Sequence, residues 1–192
     1  MRGTVVTIGE LERLTALGQR AVTYVKSCFP GGAEVPFVIA GGYFRDLLLG
    51  GPINDIDVFV HPAGAQGGCL LNAEGPYGDI LGHVDIIGLY SIGGVGREVQ
   101  RITLNPARCP ALTPEGVCSR IDIGICRIAM DHTGRLYVSP EAMADVSERT
   151  LTVYLTNGAT SERVKARLQK IKDRYSHLYF ETSDPQELLN AS

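Results

Sequence analysis

The segment from Phe37 to Val60, FVIAGGYFRDLLLGGPINDIDVFV, constrains the fold more than any other part of the chain. It opens with a short apolar run, Pro36 to Ala40, which predicts a buried strand. Two glycines end that strand, and good helix formers follow until a second Gly-Gly pair and a proline stop them. The first glycine pair is therefore predicted to lie at a helix N-terminus. Unpaired N–H groups and the helix dipole favour an anion such as a phosphate there.

A pair of carboxylates follows on the next predicted strand, Asn54 to Val60. Asp55 and Asp57 alternate with Ile56 and Val58, which places both acids on one face of a strand. Their Cα atoms would be roughly 7 Å apart, and a divalent cation relieves the repulsion between two ionised carboxylates. Oxygen ligands of this kind suit Mg²⁺ or Mn²⁺. A glycine pair or an Asp-x-Asp alone is common, but the two separated by one short helix are much more specific.

These elements together resemble the head domain of the polymerase beta-type nucleotidyltransferases, and more narrowly the tRNA nucleotidyltransferase and poly(A) polymerase branch. The signature of that branch is a hydrophobic strand, Gly-Gly, Arg-Asp, a short helix and Asp-x-Asp, and every part is present. The chain also resembles the small stand-alone members found in bacteriophages. The resemblance implies an α/β (α+β) fold with a mixed, largely antiparallel sheet flanked by helices. The residues that carry it are Gly41, Gly42, Arg45, Asp46, Asp55 and Asp57.

The resemblance also implies a chemistry, in which a nucleoside monophosphate passes from an NTP such as ATP to an acceptor hydroxyl and pyrophosphate is released. Gly41 and Gly42 are expected to hold the β- and γ-phosphates through backbone N–H groups, and Arg45 to add positive charge beside them. Asp46 has two alternative roles, since it either binds the ribose or braces the turn.

Two Mg²⁺ or Mn²⁺ ions about 4 Å apart are implied between Asp55, Asp57 and a third carboxylate on a later strand. Asp122 is our choice for the third, because the run SRIDIGICRIAM alternates isoleucine with polar or small residues as a strand does. The other interpretation of Asp122 is an ion pair with a nearby arginine such as Arg120 or Arg127.

Asp85 is the rival for the third carboxylate, because it is an isolated acid in the apolar run HVDIIGLYSI. The sequence alone leaves this choice open.

Thr160 to about Ser176 predicts an amphipathic helix with a buried stripe of Val164, Leu168, Ile171 and Tyr175. Its other face is basic, and is either a solvated helix face or a contact for a triphosphate or an RNA backbone. We expect a head domain over residues 1–158 and a neck-like helix and tail over 159–192. The candidate phosphate or RNA contacts on the helix are Arg163, Arg167, Lys170 and Arg174.

The remaining elements are predicted from periodicity and turn residues. The first helix is predicted from Thr7 to about Cys28, with a capping box at Thr7 and Glu10. A long loop covers residues 61–79, which lies either near the acceptor or on the surface as an insert. The other predictions are strands at His83 to Ile92, Glu98 to Leu104, Ser119 to Met130 and Thr150 to Leu155, a loop at Asn105 to Gly116, a hairpin turn at Asp131 to Gly134, a helix from Pro140 and a frayed acidic tail from His177.

Composition excludes several classes of protein. The 192 residues carry a formal net charge of −3, which argues against a general coat for nucleic acid. Five cysteines without a Cys-x-x-Cys pair argue against a disulfide framework or a zinc site. No run approaches the roughly 20 apolar residues of a membrane span, and the N-terminus does not have the pattern of a secretion signal. We expect no membrane partner and a cytoplasmic protein, in the host cytoplasm if a phage encodes it.

The acceptor is the least constrained part of the prediction. The resemblance suggests an RNA 3′ end, with tRNA as the first choice. Nucleotidylation of a protein or a small molecule is the second enzymatic possibility. A nucleotide-binding or RNA-binding module without turnover is the alternative from a different class.

Overall fold

The computed structural model describes residues 6–28, 36–53, 56–60, 84–88, 112–154, 161–178 and 180–182. Its centre is a five-stranded mixed sheet in the order β3-β2-β1-β4-β5. Only the β2–β3 pair is parallel, and the other three neighbouring pairs are antiparallel. The strands are β1 (Phe37–Ala40), β2 (Ile56–Val60), β3 (Val84–Gly88), β4 (Ile128–Asp131) and β5 (Leu136–Val138). The mixed, largely antiparallel sheet flanked by helices is thus confirmed.

Alternation along β1 places side chains in two apolar clusters. Phe37 and Ile39 belong to the main core with residues of four helices, whereas Val38 and Ala40 pack with Val117 in a smaller cluster. The helices are α1 (Ile8–Cys28), α2 (Gly42–Leu49), α3 (Pro114–Cys118), α4 (Pro140–Glu148) and α5 (Ser161–Arg174).

Helix α1 begins as its sequence predicts. The amide N of Glu10 donates to the Thr7 hydroxyl, and the amide N of Thr7 donates to the Glu10 carboxylate, so the capping box is closed in both directions. Leu14, Ala21 and Val25, which recur at helical spacing along α1, are buried in the main core. The helix therefore packs on the sheet through the face that its periodicity indicates.

Helix α5 also packs as predicted. The four stripe residues Val164, Leu168, Ile171 and Tyr175 are between 1% and 5% exposed and belong to the same core as the sheet. The boundary proposed at residues 158 and 159 stays a prediction.

Two segments differ from the sequence prediction, and in the first the reason is that burial is not confined to one face. Residues 119–130 form a turn, a bridge from Ile123 to Val153, a 3-10 helix Gly124–Cys126 and then β4, rather than one strand. The amide N of Ile125 donates a hydrogen bond of 2.8 Å to the carboxylate of Asp145 in α4, and this contact bends the chain at Gly124. All residues from Asp122 to Met130 are buried, so the alternation there does not separate two faces.

The second segment is residues 105–116, which was predicted as loop throughout. Thr113 caps α3 by accepting the amide N of Gly116 at 3.1 Å, and Pro114 occupies the first position of that helix. Pro114 therefore begins a helix and does not belong to a loop.

The C-terminal parts are also more structured than predicted. The strand expected over Thr150 to Leu155 is only β6 (Thr150–Leu151), which pairs in parallel with β7 (Glu181–Thr182) in the predicted frayed tail. The hairpin turn and the helix starting at Pro140 are confirmed. The predictions for residues 61–79 and Glu98 to Leu104 lie outside the described residues.

Candidate nucleotide and metal site

The glycine pair lies at the point where β1 passes into α2. Gly41 is the N-cap, with φ of 88° and ψ of −133°, a left-handed backbone conformation that favours glycine. Its N–H donates to the carbonyl of Ile128 at 3.2 Å. Because this N–H already has a partner in β4, the prediction that Gly41 offers it to a phosphate is not supported. The first turn of α2, from Gly42 onward, carries the N–H groups that a helix leaves without helical partners.

One side of this turn faces a carboxylate. Asp57 is the register partner of Ala40 on the neighbouring strand β2. A Cβ on Gly41 would lie 3.2 Å from Oδ2 of Asp57. Gly41 therefore lets the backbone approach the acid closely, and a larger residue would crowd that oxygen. The structure brings together the first glycine of the pair and the second aspartate of the Asp-x-Asp, as the sequence predicts.

Asp85 lies next to Asp57. The two are register partners across the parallel β2–β3 pair, and adjacent strands are about 4.8 Å apart. Residues opposite each other on neighbouring strands belong to the same face of a sheet. The backbone thus puts two acidic positions side by side next to the glycine turn. Asp55 lies outside the described residues.

The second glycine of the turn lies beside a guanidinium. A Cβ on Gly42 would be 3.3 Å from Nη2 of Arg45, so this side chain folds back over the start of its own helix. Nη1 of Arg45 donates to Sγ of Cys126 at 3.5 Å. Burial raises the pKa of the Cys126 thiol, so Cys126 stays neutral. Arg45 thus places a cation where the resemblance implies the triphosphate.

Asp46 is almost completely buried and serves as a shared acceptor. Its Oδ1 accepts Nε of Arg45 and the hydroxyl of Tyr175, both at 2.7 Å, and its Oδ2 accepts Nη1 of Arg174 at 2.7 Å. Both carboxylate oxygens are engaged within the protein. The geometry therefore favours the bracing role over the ribose-binding role.

Tyr175 reaches Asp46 over a second glycine pair. Gly50 ends α2 in the left-handed conformation, and a Cβ on Gly51 would overlap the Tyr175 hydroxyl. The helical periodicity predicts Tyr175 in the buried stripe but does not predict its hydroxyl contact with Asp46. The glycine at position 51 was the available signal, because close approach of another group is one reason for glycine after a helix.

Asp122 has a different environment from the one we expected. Its carboxylate is 4% exposed and accepts Nη1 of Arg167, a residue of α5. The predicted sequence neighbour Arg127 instead donates to the carbonyl of Ile121 and to Glu141, and stacks over the ring of Tyr154. An ion pair thus does satisfy Asp122, but its partner comes from 45 positions along the chain.

The basic face of α5 divides into two parts. Arg167 and Arg174, seven positions apart, each bind a buried carboxylate of the body of the protein. Arg163 and Lys170 are exposed. Arg167 and Arg174 therefore anchor the helix, although the Arg167 side chain is itself 47% exposed. Arg163 and Lys170 stay candidate contacts for phosphate or RNA.

Of the predicted metal set, the described residues include the side chains of Asp57 and Asp122, and that of Asp122 is bound to Arg167. No three acidic, histidine or cysteine side chains of the described part cluster as a metal site would require. What the structure does provide is a half-buried carboxylate oxygen beside a glycine, with a second acidic position in register on the adjacent strand. Hard oxygen donors at such positions fit Mg²⁺ or Mn²⁺.

Comparisons with protein-family models and with curated proteins gave no match for this chain. Solved structures do match its fold. A Thermotoga maritima CCA-adding enzyme complexed with tRNA superposes with a TM-score of 0.50 at 18% identity, over 98% of this chain and 45% of that one. An apo form of a CCA-adding enzyme gives 0.53 at 18% identity, also over 98% and 45%. At this identity the likeness shows a shared fold, and the chain spans a little under half the length of these enzymes. None of the helices in the described part is long and apolar enough to cross a membrane.

Proposed function

We propose that this protein is a metal-dependent nucleotidyltransferase that moves a nucleoside monophosphate from an NTP to an acceptor hydroxyl. One observation carries the proposal, namely the arrangement around the N-terminus of α2. Asp57, with the position of Asp85 in register beside it, lies at Gly41, and the guanidinium of Arg45 lies at Gly42, the next residue. The fold shared with CCA-adding enzymes supports it.

The proposed reaction uses the acidic positions, the guanidinium of Arg45 and the N–H groups of the first turn of α2. The acceptor oxygen forms a bond to the α-phosphorus while the bond from that phosphorus to the bridging oxygen breaks, and pyrophosphate leaves with its electron pair. Arg45 and the first-turn N–H groups of α2 bind the negative β- and γ-phosphates. The acceptor proton passes to a carboxylate or to water.

We assign the metal-binding role to Asp55, Asp57 and Asp85. These residues would hold a divalent cation, which would neutralise charge on the triphosphate and favour deprotonation of the acceptor hydroxyl. Asp85 replaces our sequence-based choice of Asp122, because Asp85 is in register with Asp57 whereas Asp122 is bound to Arg167.

The experiment incubates the purified protein with each radiolabelled NTP, Mg²⁺ or Mn²⁺, and total RNA, and separates RNA from protein on a denaturing gel. Asp57→Asn and Asp85→Asn should each lower transfer by at least about 10³-fold, as expected when a metal clamp is lost. Asp122→Asn should lower it far less at a temperature where the variant is folded. Equal loss in Asp122→Asn and none in Asp85→Asn would reverse the assignment.

The acceptor class is read from the same gel. We propose an RNA 3′ end, with tRNA first, on the fold shared with enzymes whose solved complex contains tRNA. Label in the protein band and not in RNA would identify nucleotidylation of a protein. Nucleotide binding without any labelled product would identify a binding module and contradict catalysis.

A further inference from the structure

The guanidinium of Arg45 is oriented by groups that come from the far end of the chain. Its Nε is fixed by Asp46, the next residue. The other two donors to Asp46, Arg174 and Tyr175, are 128 and 129 positions away at the end of α5. Arg45 therefore depends on how α5 is seated, although it belongs to α2.

The charges in this contact chain add up to an excess of one positive charge. Asp46 carries one negative charge between the guanidinium groups of Arg45 and Arg174, and the Cys126 thiol is neutral. Without Arg174 the carboxylate would simply neutralise Arg45. Arg174 thus leaves Arg45 with charge to offer an anion, in a site with side chains only 13% and 17% exposed, where screening is weak.

The positions of Arg174, the last residue of α5, and of Tyr175, the residue after it, are themselves fixed by packing. Tyr175 is 1% exposed, and its hydroxyl stands over Gly51, where no Cβ intervenes. Because Arg174 is the residue before Tyr175, the packing of Tyr175 also fixes the position of Arg174. The end of α5 can therefore hold Asp46 in one orientation, which in turn holds Arg45.

We propose that Arg174 and Tyr175 are positioning residues for phosphate binding, which act through Asp46 to orient Arg45 and to preserve its charge at the N-terminus of α2. This inference rests on the proposed function, since it takes that N-terminus as the triphosphate site. It assigns to α5 a role in nucleotide binding that needs no contact between α5 and the nucleotide.

The test measures binding of inorganic tripolyphosphate, in the presence of Mg²⁺, by isothermal titration calorimetry. Arg45→Gln should weaken binding by about tenfold, as expected for loss of one charge-assisted contact. Arg174→Gln should weaken it by about three- to tenfold, and Tyr175→Phe by less. Leu168→Ala is the matched control, because it destabilises the same helix from its buried stripe without touching Asp46, and it should bind normally below its melting temperature.

The decisive variant is the double substitution Arg45→Gln with Arg174→Gln. If Arg174 acts through Arg45, the double variant binds about as weakly as Arg45→Gln alone. The binding losses of two substitutions are not additive when one residue acts only through the other. A loss equal to the product of the two single losses would mean that Arg174 acts independently, and would overturn the inference.

The remaining outcomes separate the inference from the proposed function. Weak binding by Arg45→Gln with normal binding by both Arg174→Gln and Tyr175→Phe would refute the positioning role and leave the phosphate site in place. Normal binding by Arg45→Gln would refute the phosphate site itself. Tyr175→Phe removes a single oxygen, so it keeps the test decisive if Arg174→Gln does not fold.

Discussion

Replacing Asp46 by asparagine should destabilise the protein by about 3 kcal/mol. The carboxylate accepts three hydrogen bonds of 2.7 Å, two of them from arginines. A hydrogen bond to a charged group contributes about 1.5–3 kcal/mol and a neutral one about 1 kcal/mol, so the two arginine contacts together lose about 2 kcal/mol. An amide N–H₂ forced against a guanidinium in a buried position adds about 1 kcal/mol. The slight exposure of both arginines limits the loss, since water can reach them.

Urea unfolding followed by far-UV circular dichroism measures this change. With an m-value of about 2 kcal/mol/M for a domain of this size, 3 kcal/mol moves the midpoint by about 1.5 M. Asp173→Asn is the control, because Asp173 is exposed on α5 and, among the described residues, accepts a hydrogen bond from Gln169. It should change stability by less than about 0.5 kcal/mol. A loss below about 1 kcal/mol in Asp46→Asn would refute the view that this carboxylate joins α2 to α5.

Three further predictions concern glycines and thiols. Gly51→Ala should cost about 1–3 kcal/mol in urea unfolding, because the new methyl group overlaps the hydroxyl of Tyr175; an unchanged midpoint would contradict that overlap. Gly41→Ala should lower the melting temperature through a cost of about 1–2 kcal/mol, because its φ of 88° is strained for any residue with a Cβ, and a calorimetric scan that matches the wild type would count against the left-handed turn. Cys118 and Cys126, studied with the other three cysteines replaced by serine, should stay unreactive to a thiol reagent at pH 8 and pH 10 and react only in urea. Burial raises the pKa of Cys118 to about 12 and also raises that of Cys126, so little thiolate forms at either pH. Rapid labelling of the folded protein would contradict this.

The sequence predicted the parts of the site that are local in the chain. The strand, the glycine turn, the short helix and the second strand all lie within two dozen residues, and each is set by residue types with a direct backbone consequence, such as glycine at a positive φ or a proline after a helix. The capping box at Thr7 and the stripe of α5 are local in the same sense, and both were confirmed.

The prediction was less complete where partners are distant in the sequence. Asp122 was a candidate metal ligand because its run alternates, but the pattern could not show that Arg167 would lie against it. Nor could it show that β2 and β3 pair in parallel, which is what brings Asp85 beside Asp57. A parallel pair needs a crossover connection, and the residues between these strands carry no periodicity that fixes its path. Choosing between the two acids required the sheet order.

Groups of opposite charge lie at the two glycines of the turn. Acidic positions on β2 and β3 adjoin Gly41, and the cluster of Arg45, Asp46 and Arg174, with an excess of one positive charge, adjoins Gly42. The proposed reaction needs both, because the leaving phosphates require fixed positive charge and the reacting phosphorus requires carboxylates that can hold cations. The acids belong to strands of the sheet, whereas the residues of the cationic cluster belong to α2 and α5. If the end of α5 acts on Arg45 as proposed, its displacement weakens phosphate binding without moving the acids of the sheet, and the tripolyphosphate titrations of Arg174→Gln and Tyr175→Phe measure that loss.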